Sequence, residues 1–291
     1  MEYRISHTTR YEYAEPVSLC HNLAHLKLRA AAGQDCRRSD LTIQPQPDVL
    51  AAVRDYFGNP MTFFALQKAH DGLTVLAEHE VAVKARPAPE RTPCWEVVRD
   101  RLPRDRDPAV LDAYQFVFDS RLVQARAAFA EYALPSFAPG RPLLEAVLDL
   151  TQRIHRDFQY DPRATTTATP LQEVFEHRRG VCQDFAHFQI ACLRSLGLAA
   201  RYVSGYLCSS APAGRDPLVG ADATHAWLSV FCPEHGWIDV DPTNNQLPSD
   251  SHIVLAWGRD YDDVSPIKGV ILGGGRHEVH VAVDVVRLPC A

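Results

Sequence analysis

The chain has 291 residues, 46% of them hydrophobic, enough for one large or two ordinary domains that each bury a core. Its formal charge of -6 leaves no basic footprint for nucleic acid. No 18-residue apolar run marks a membrane span, and MEYRISHTTRYEY alternates polar and apolar residues where an export signal would be continuously apolar, so a cytoplasmic protein with no membrane partner is expected.

Residues 1–86 carry strand signals: YRISHTTRYEY, LAHLKLRA, LTIQP, MTFFAL and LTVLAEHEVAVKA, separated by turn material such as Gly58-Asn59-Pro60 and Asp71-Gly72. Short alternating strands at this spacing predict a β-sandwich. Residues 87–108 are rich in proline and charge, which opposes regular structure and marks a linker. A second domain, 109–268, then begins with two helical segments, AVLDAYQFVFDS and LVQARAAFAEYAL. A longer helix is expected from about Pro142 to Phe158, where Leu143, Leu144, Val147, Leu150, Ile154 and Phe158 recur at helical spacing. Thr169-Pro170-Leu171-Gln172 has the form of a capping box with proline at the first helical position, giving a short helix that Gly180 ends.

The next helix begins near Cys182, with Phe185, Phe188, Cys192 and Leu196 as its buried stripe and Gly197 suited to a left-handed terminus. Strands LAARYVSGYL, HAWLSVF and GWIDVD follow, and after Gly273-Gly274-Gly275 the strand at 276–288 is expected to return to the N-terminal domain.

A thiol at a helix start sits where unpaired N–H groups and the macrodipole favour the thiolate, so Cys182 is the candidate nucleophile. It needs a base, and the base needs an orienting partner. His187, five residues along the same helix, is rotated about 140° away. His225 opens a strand after a polar loop and is the better candidate. If Pro233-Glu234-His235 forms a three-residue hairpin loop, Cys232 pairs with Gly236 and Asp241 lies diagonal to His225 on one face, at about 7 to 8 Å. A four-residue loop would turn Asp241 to the opposite face; Asp239 has the parity of Asp241 but lies further away.

GVCQDFAHFQIACLRSLGLAARYVSGYL, THAWLSVF and GWIDVDPTNN, in this order, resemble the core of the transglutaminase-like superfamily, and YRISHTTRYEY with the FGN turn resembles the β-rich region attached to it in bacterial members. The resemblance implies an α+β protein: a papain-like, transglutaminase-like catalytic core with an N-terminal β-sandwich. It makes Cys182 the nucleophile, His225 the general acid/base and Asp241 its orienting residue. The implied activity is thiol-dependent cleavage of a peptide or carboxamide bond through a thioester, as in a cysteine protease or other hydrolase. The alternatives are protein-glutamine transamidation and a non-catalytic scaffold. No cofactor is required, and the expected partner is a peptide or protein substrate.

Beside the Cys182 N–H, Tyr160 is a candidate oxyanion donor or a packing residue, and Gln183 is a further donor or a solvent-facing side chain. Trp227 and Trp237 either wall the cleft or pack the sheet, with packing favoured. Asp184, Arg178 and Arg179 are read as a solvated surface. Asp260, Asp262 and Asp263 lack calcium-loop spacing. Neither Cys232 with His235 nor the set Cys182, Cys192 and Cys208 has convincing zinc spacing, and no metal is expected. Loop 209–224 and segment 109–140 are the candidates to cover the cleft.

Overall fold

A computed structural model describes residues 1–208 and 224–289. The N-terminal strands are β1 (Glu2–Ala24), β2 (Gln34–Gln44), β3 (Val49–Arg54), β4 (Pro60–Leu66) and β5 (His70–Val83). The helical stretch holds α1 (Trp95–Arg101), α2 (Pro108–Tyr114), α3 (Ala127–Ala133) and α4 (Leu143–Asp157), followed by β6 (Gln159–Tyr160), α5 (Leu171–His177), β7 (Arg179–Gly180) and α6 (Cys182–Ser195). The chain continues as β8 (Ala200–Leu207), β9 (Thr224–Cys232), β10 (Gly236–Val240), β11 (His252–Gly258), α7 (Tyr261–Val264), β12 (Ile267–Gly273) and β13 (His277–Leu288).

The β-rich region is one seven-stranded hydrogen-bonded sheet. Its organiser is β1. The first half of β1 lies between β5 and β13, and its second half between β4 and β12, with register shifts between Glu12 and Val17 and between Val17 and Leu19. Bulges of this kind bend a strand and re-aim its faces. LAHLKLRA is therefore no separate strand: Leu23 and Ala24 close β1, and the remainder leaves the sheet. The strand after the three glycines does return to β1, pairing from His277↔Tyr13 to Leu288↔Glu2.

The second sheet has the order β10-β9-β8-β11, all antiparallel neighbours. Its two faces meet different partners because side chains alternate along a strand. Ala226, Leu228 and Val230 pack with Phe185, Phe188 and Leu193 of α6, while Tyr206, Ile253 and Leu255 join the core of the N-terminal sheet. Helix α6 is buried from Asp184 to Arg194 on all sides, beyond the single stripe expected, and each large apolar side chain on it contributes about 1.5–3 kcal/mol by leaving water. Gly197 adopts φ 79° after it.

Arg194 bolts α6 to its surroundings. Its guanidinium, buried among apolar residues, donates to the carbonyls of Phe116 (2.9 Å), Ala200 (3.0 and 3.3 Å) and Arg259 (2.7 Å) and to Ser120 Oγ (3.1 Å).

The proline-rich linker carries more order than its composition predicts. It contains α1, whose Trp95 is buried, stacks edge-on against Phe137 at 5.6 Å and donates Nε1–H to the Ala138 carbonyl. Tertiary burial of one large ring there overrides local propensity. Helix α5 begins one residue later than expected: Thr169 accepts from Thr166 N–H instead of capping the helix, and Arg178, at φ 55°, ends it before Gly180 is reached.

Candidate active site

The thiol is presented by a short parallel ladder. Tyr160 pairs with Gly180, and Asp161 N–H bonds the Gly180 carbonyl, so β6 fixes the backbone just before Cys182. Asp184, read from the sequence as solvated, is in fact buried: it folds back to accept the Val181 N–H (2.8 Å) and the Thr165 hydroxyl (2.6 Å). Burial raises its pKa, and those two donors oppose the rise. Gly180 makes room for this, because a Cβ there would stand 2.5 Å from Asp184 Oδ2 and 2.8 Å from its Cβ. Gly180→Ala is expected to expel the Asp184 carboxylate and cost about 1–3 kcal/mol, as for loss of a buried cap, read from urea unfolding. A cost below 0.5 kcal/mol would show that the helix start tolerates the displacement.

The hairpin between β9 and β10 has the three-residue loop, with Gly236↔Cys232 and Val240↔Leu228 in register. It brings the two predicted partners together: His225 Nε2 lies 2.9 Å from Asp241 Oδ2, and both side chains are fully buried. Burial opposes charge on His225, but the charge of Asp241, its hydrogen bond and an interaction with Cys182 outweigh it and raise the His225 pKa to about 10. Burial likewise opposes charge on Asp241, and the two rings beside it prevail, holding the carboxyl well below its ordinary range. With Nε2 committed to the acid, Nδ1 is the ring atom left for the sulfur.

Sequence reasoning missed His252. On β11, its Nε2 lies 3.2 Å from the same Asp241 Oδ2, and its Nδ1 faces Ser249 N–H at 3.4 Å. Asn244 Nδ2 adds a donor to Oδ2 (2.8 Å), while the N–H groups of Thr243 and Asn244 meet Oδ1 at 2.9 and 3.2 Å. Asp241 is thus held from both oxygens. His225, Asp241 and His252 also present ligand atoms within 4.8 Å of one another, and the hydrogen bonds account for that clustering. Tyr202, also missed, is fully buried within electrostatic reach of Cys182, and burial first, then that sulfur, raises its pKa.

A pH signature follows from the signs. A folded-state His225 pKa raised to about 10 contributes stability that is complete below the unfolded value of about 6.5 and is lost as pH rises toward 10. In Asp241→Asn the ring loses the largest of the interactions that favour its charge and keeps its burial penalty. The melting-temperature gap between wild type and Asp241→Asn should therefore widen as pH falls from 9 to 5. A gap that stays constant would mean that the pair carries no linked proton.

The other expected residues fall in varied places. Tyr160 is half-buried beside Cys182, and burial followed by the sulfur's charge raises its pKa. Gln183 is half-buried in the first turn of α6. Trp227 is fully buried against His225 and His252, with ring centroids 6.1 and 5.3 Å away. Asp239 accepts from Ser229 Oγ and takes no part with His225. His187 points away, as expected, accepting the Tyr261 N–H at 3.1 Å. Arg178 is not a solvated side chain: its guanidinium lies 4.1 Å over the Phe175 ring, whereas Arg179 is exposed. The acidic cluster is consumed locally, Asp260 by the N–H groups of Leu122 and Asp262, Asp262 by Lys268, and Asp263 by Arg259. Of the expected covering loop, residues 209–223 lie outside the described residues.

Residues 3–82 match the bacterial transglutaminase-like N-terminal region, and residues 131–242, which include Cys182, His225 and Asp241, match the transglutaminase-like superfamily. An uncharacterized protein of Mycobacterium tuberculosis is 41% identical across 98% of this chain and 92% of its own length. One from Mycobacterium leprae is 30% identical across 98% of both. Over 35% of this chain, and 16% of the relative, there is 38% identity to a protein-glutamine gamma-glutamyltransferase of Pseudomonas aeruginosa. Among solved structures, a protein of Cytophaga hutchinsonii described as a candidate cysteine protease shares the fold with a TM-score of 0.77 at 21% identity, over 100% of this chain and 92% of that one. The chain belongs to the transglutaminase-like superfamily and carries the bacterial transglutaminase-like N-terminal region.

Proposed function

We propose that this protein is a thiol-dependent amide hydrolase, with Cys182 as nucleophile, His225 as general acid/base and Asp241 as the residue that orients and charges the ring. The observation that carries the reading is the buried 2.9 Å contact of His225 Nε2 with Asp241, which leaves Nδ1 as the ring atom available to the thiol. A ring that keeps its proton at neutral pH is the partner a thiolate requires. The sulfur attacks the substrate carbonyl, and the tetrahedral oxyanion accepts hydrogen bonds from the Cys182 N–H and from Tyr160 or Gln183. Collapse breaks the C–N bond as His225 delivers its proton to the departing amine, leaving a thioester. His225 then removes a proton from water, whose oxygen attacks the thioester, and collapse of the second tetrahedral intermediate breaks the C–S bond, releasing the acid and restoring the thiolate beside the protonated ring.

A second reading, transfer of the acyl group to an amine, draws support from the segment similar to a protein-glutamine gamma-glutamyltransferase. Product analysis with glutamine-containing peptides separates the two. Free acid with ammonia or a new N-terminus is the expected result; an isopeptide adduct in the presence of a lysine donor would replace hydrolysis by transfer. Unchanged substrate across a peptide library, with the protein folded, would overturn both.

A further inference from the structure

Away from Cys182, two adjoining cavities of about 350 and 460 Å³ share Arg86, Trp237, Asp239 and Val254 and form one groove. It lies between the second sheet, residues 84–89 and the N-terminal sheet region. One end is apolar, lined by Trp227, Ile238, Leu247 and Pro248. The other end is cationic, lined by Arg29, Arg86 and Arg201. Together the volumes fall in the range of small-molecule sites, which pair apolar walls with a few convergent polar groups.

Arg201 gives the groove its chemistry. Only 8% exposed, its guanidinium is sandwiched 4.2 Å from the Trp237 ring centroid and 3.8 Å from that of Trp257. Arg29 lies 3.1 Å over Trp257, so cations and indoles alternate in one stack. Among the described residues, the one side-chain hydrogen bond of Arg201 is Nε to Ser229 Oγ at 3.4 Å, which leaves the terminal nitrogens of this cavity-lining residue available to a ligand. Among the described residues, none of Arg29, Arg86 and Arg201 has a carboxylate within 4.0 Å. Two carboxylates do line this end: Asp239 accepts from Ser229 Oγ, and Asp112 from Gln115 Nε2 at 3.2 Å. His235 is tied to the Arg91 carbonyl. Burial lowers the Arg201 pKa to about 9, with Asp239 opposing and Arg29 reinforcing the shift. Holding planar guanidinium groups this close without a paired anion is costly, and a bidentate carboxylate is the group that their geometry fits.

We propose that this groove binds a small carboxylic acid with an apolar body, its carboxylate on Arg201 and Arg86 and its chain or ring on Trp237, Trp227 and Leu247. Neither Cys182 nor His225 lines the site, although Trp227 and His252 at its apolar end touch His225 and Asp241, and the proposal does not depend on the reading of the thiol's chemistry. Three of the chain's four tryptophans line it, so indole emission reports occupancy. Hexanoate and 3-phenylpropionate are titrated as probes against 3-phenylpropan-1-ol. At least one acid should change the emission saturably, with the alcohol at least tenfold weaker. The affinity should fall at least tenfold in Arg201→Gln and threefold in Arg86→Gln, while Cys182→Ala stays within twofold of wild type. Arg86 is exposed, so Arg86→Gln decides the matter should Arg201→Gln fail to fold. No saturable change with either acid, an alcohol that binds equally well, an unaffected Arg86→Gln or loss of binding in Cys182→Ala would each overturn the site.

Discussion

Cys182→Ala should abolish amide cleavage, lowering kcat by about 10⁴-fold or more, with unfolding free energy within about 1 kcal/mol of wild type. The same loss is expected of His225→Ala, and the double variant should be no worse than either single one, because sulfur and ring act as a unit. Four of the other thiols are poor nucleophiles where they stand. Cys192 is fully buried, and desolvation pushes its pKa up; Cys232 is raised to about 11, first by burial; burial also raises Cys20 and Cys36. Iodoacetamide at pH 6 should therefore label Cys182 first, as peptide mass mapping would read. Residual cleavage within tenfold of wild type in Cys182→Ala, or first labelling elsewhere, would remove the thiol mechanism.

The largest expected loss of stability belongs to Arg194→Ala. Removing this guanidinium takes donors from the carbonyls of Phe116, Ala200 and Arg259 and from Ser120, and Phe116, Ala200 and Ser120 are buried. Each buried acceptor left without a donor costs about 1–3 kcal/mol, so the total should reach about 4 kcal/mol, measured by urea unfolding. Arg194→Lys should recover only part, since an ammonium cannot span acceptors set around a planar fork. A loss under 1 kcal/mol for the alanine variant would mean that backbone relaxation supplies new partners.

What could be read from the sequence was what local spacing determines. The α4 periodicity, the helix that opens at Cys182, the terminus at Gly197 and the Cys232↔Gly236 register each depend on residues near one another in the chain, and each is present. The register mattered most, because one residue's slip would have carried Asp241 to the other face. His252, Asn244 and Tyr202 were not legible, since their relation to the site exists only once β8, β9 and β11 lie side by side. HIVLAW after Pro248-Ser249-Asp250-Ser251 did carry a strand signal, and following it would have placed a histidine at the head of a further strand of the same sheet. Asp184 and Arg178 were misplaced for a related reason: charge predicts exposure on average, and both are taken out of water by partners that composition does not reveal. Helix α1 went unread because prolines flank it without entering it.

The position of β1 has a consequence for biosynthesis. One flank of this first strand is covered early, by β4 and β5, but the other is covered only by β12 and β13, after the whole transglutaminase-like region has emerged from the ribosome. Throughout translation the nascent chain therefore carries an open row of amide and carbonyl groups, a template for pairing with a neighbouring nascent copy. The charged residues that alternate along it, Arg4, Arg10 and Glu12, are well placed to discourage that encounter until β12 and β13 arrive.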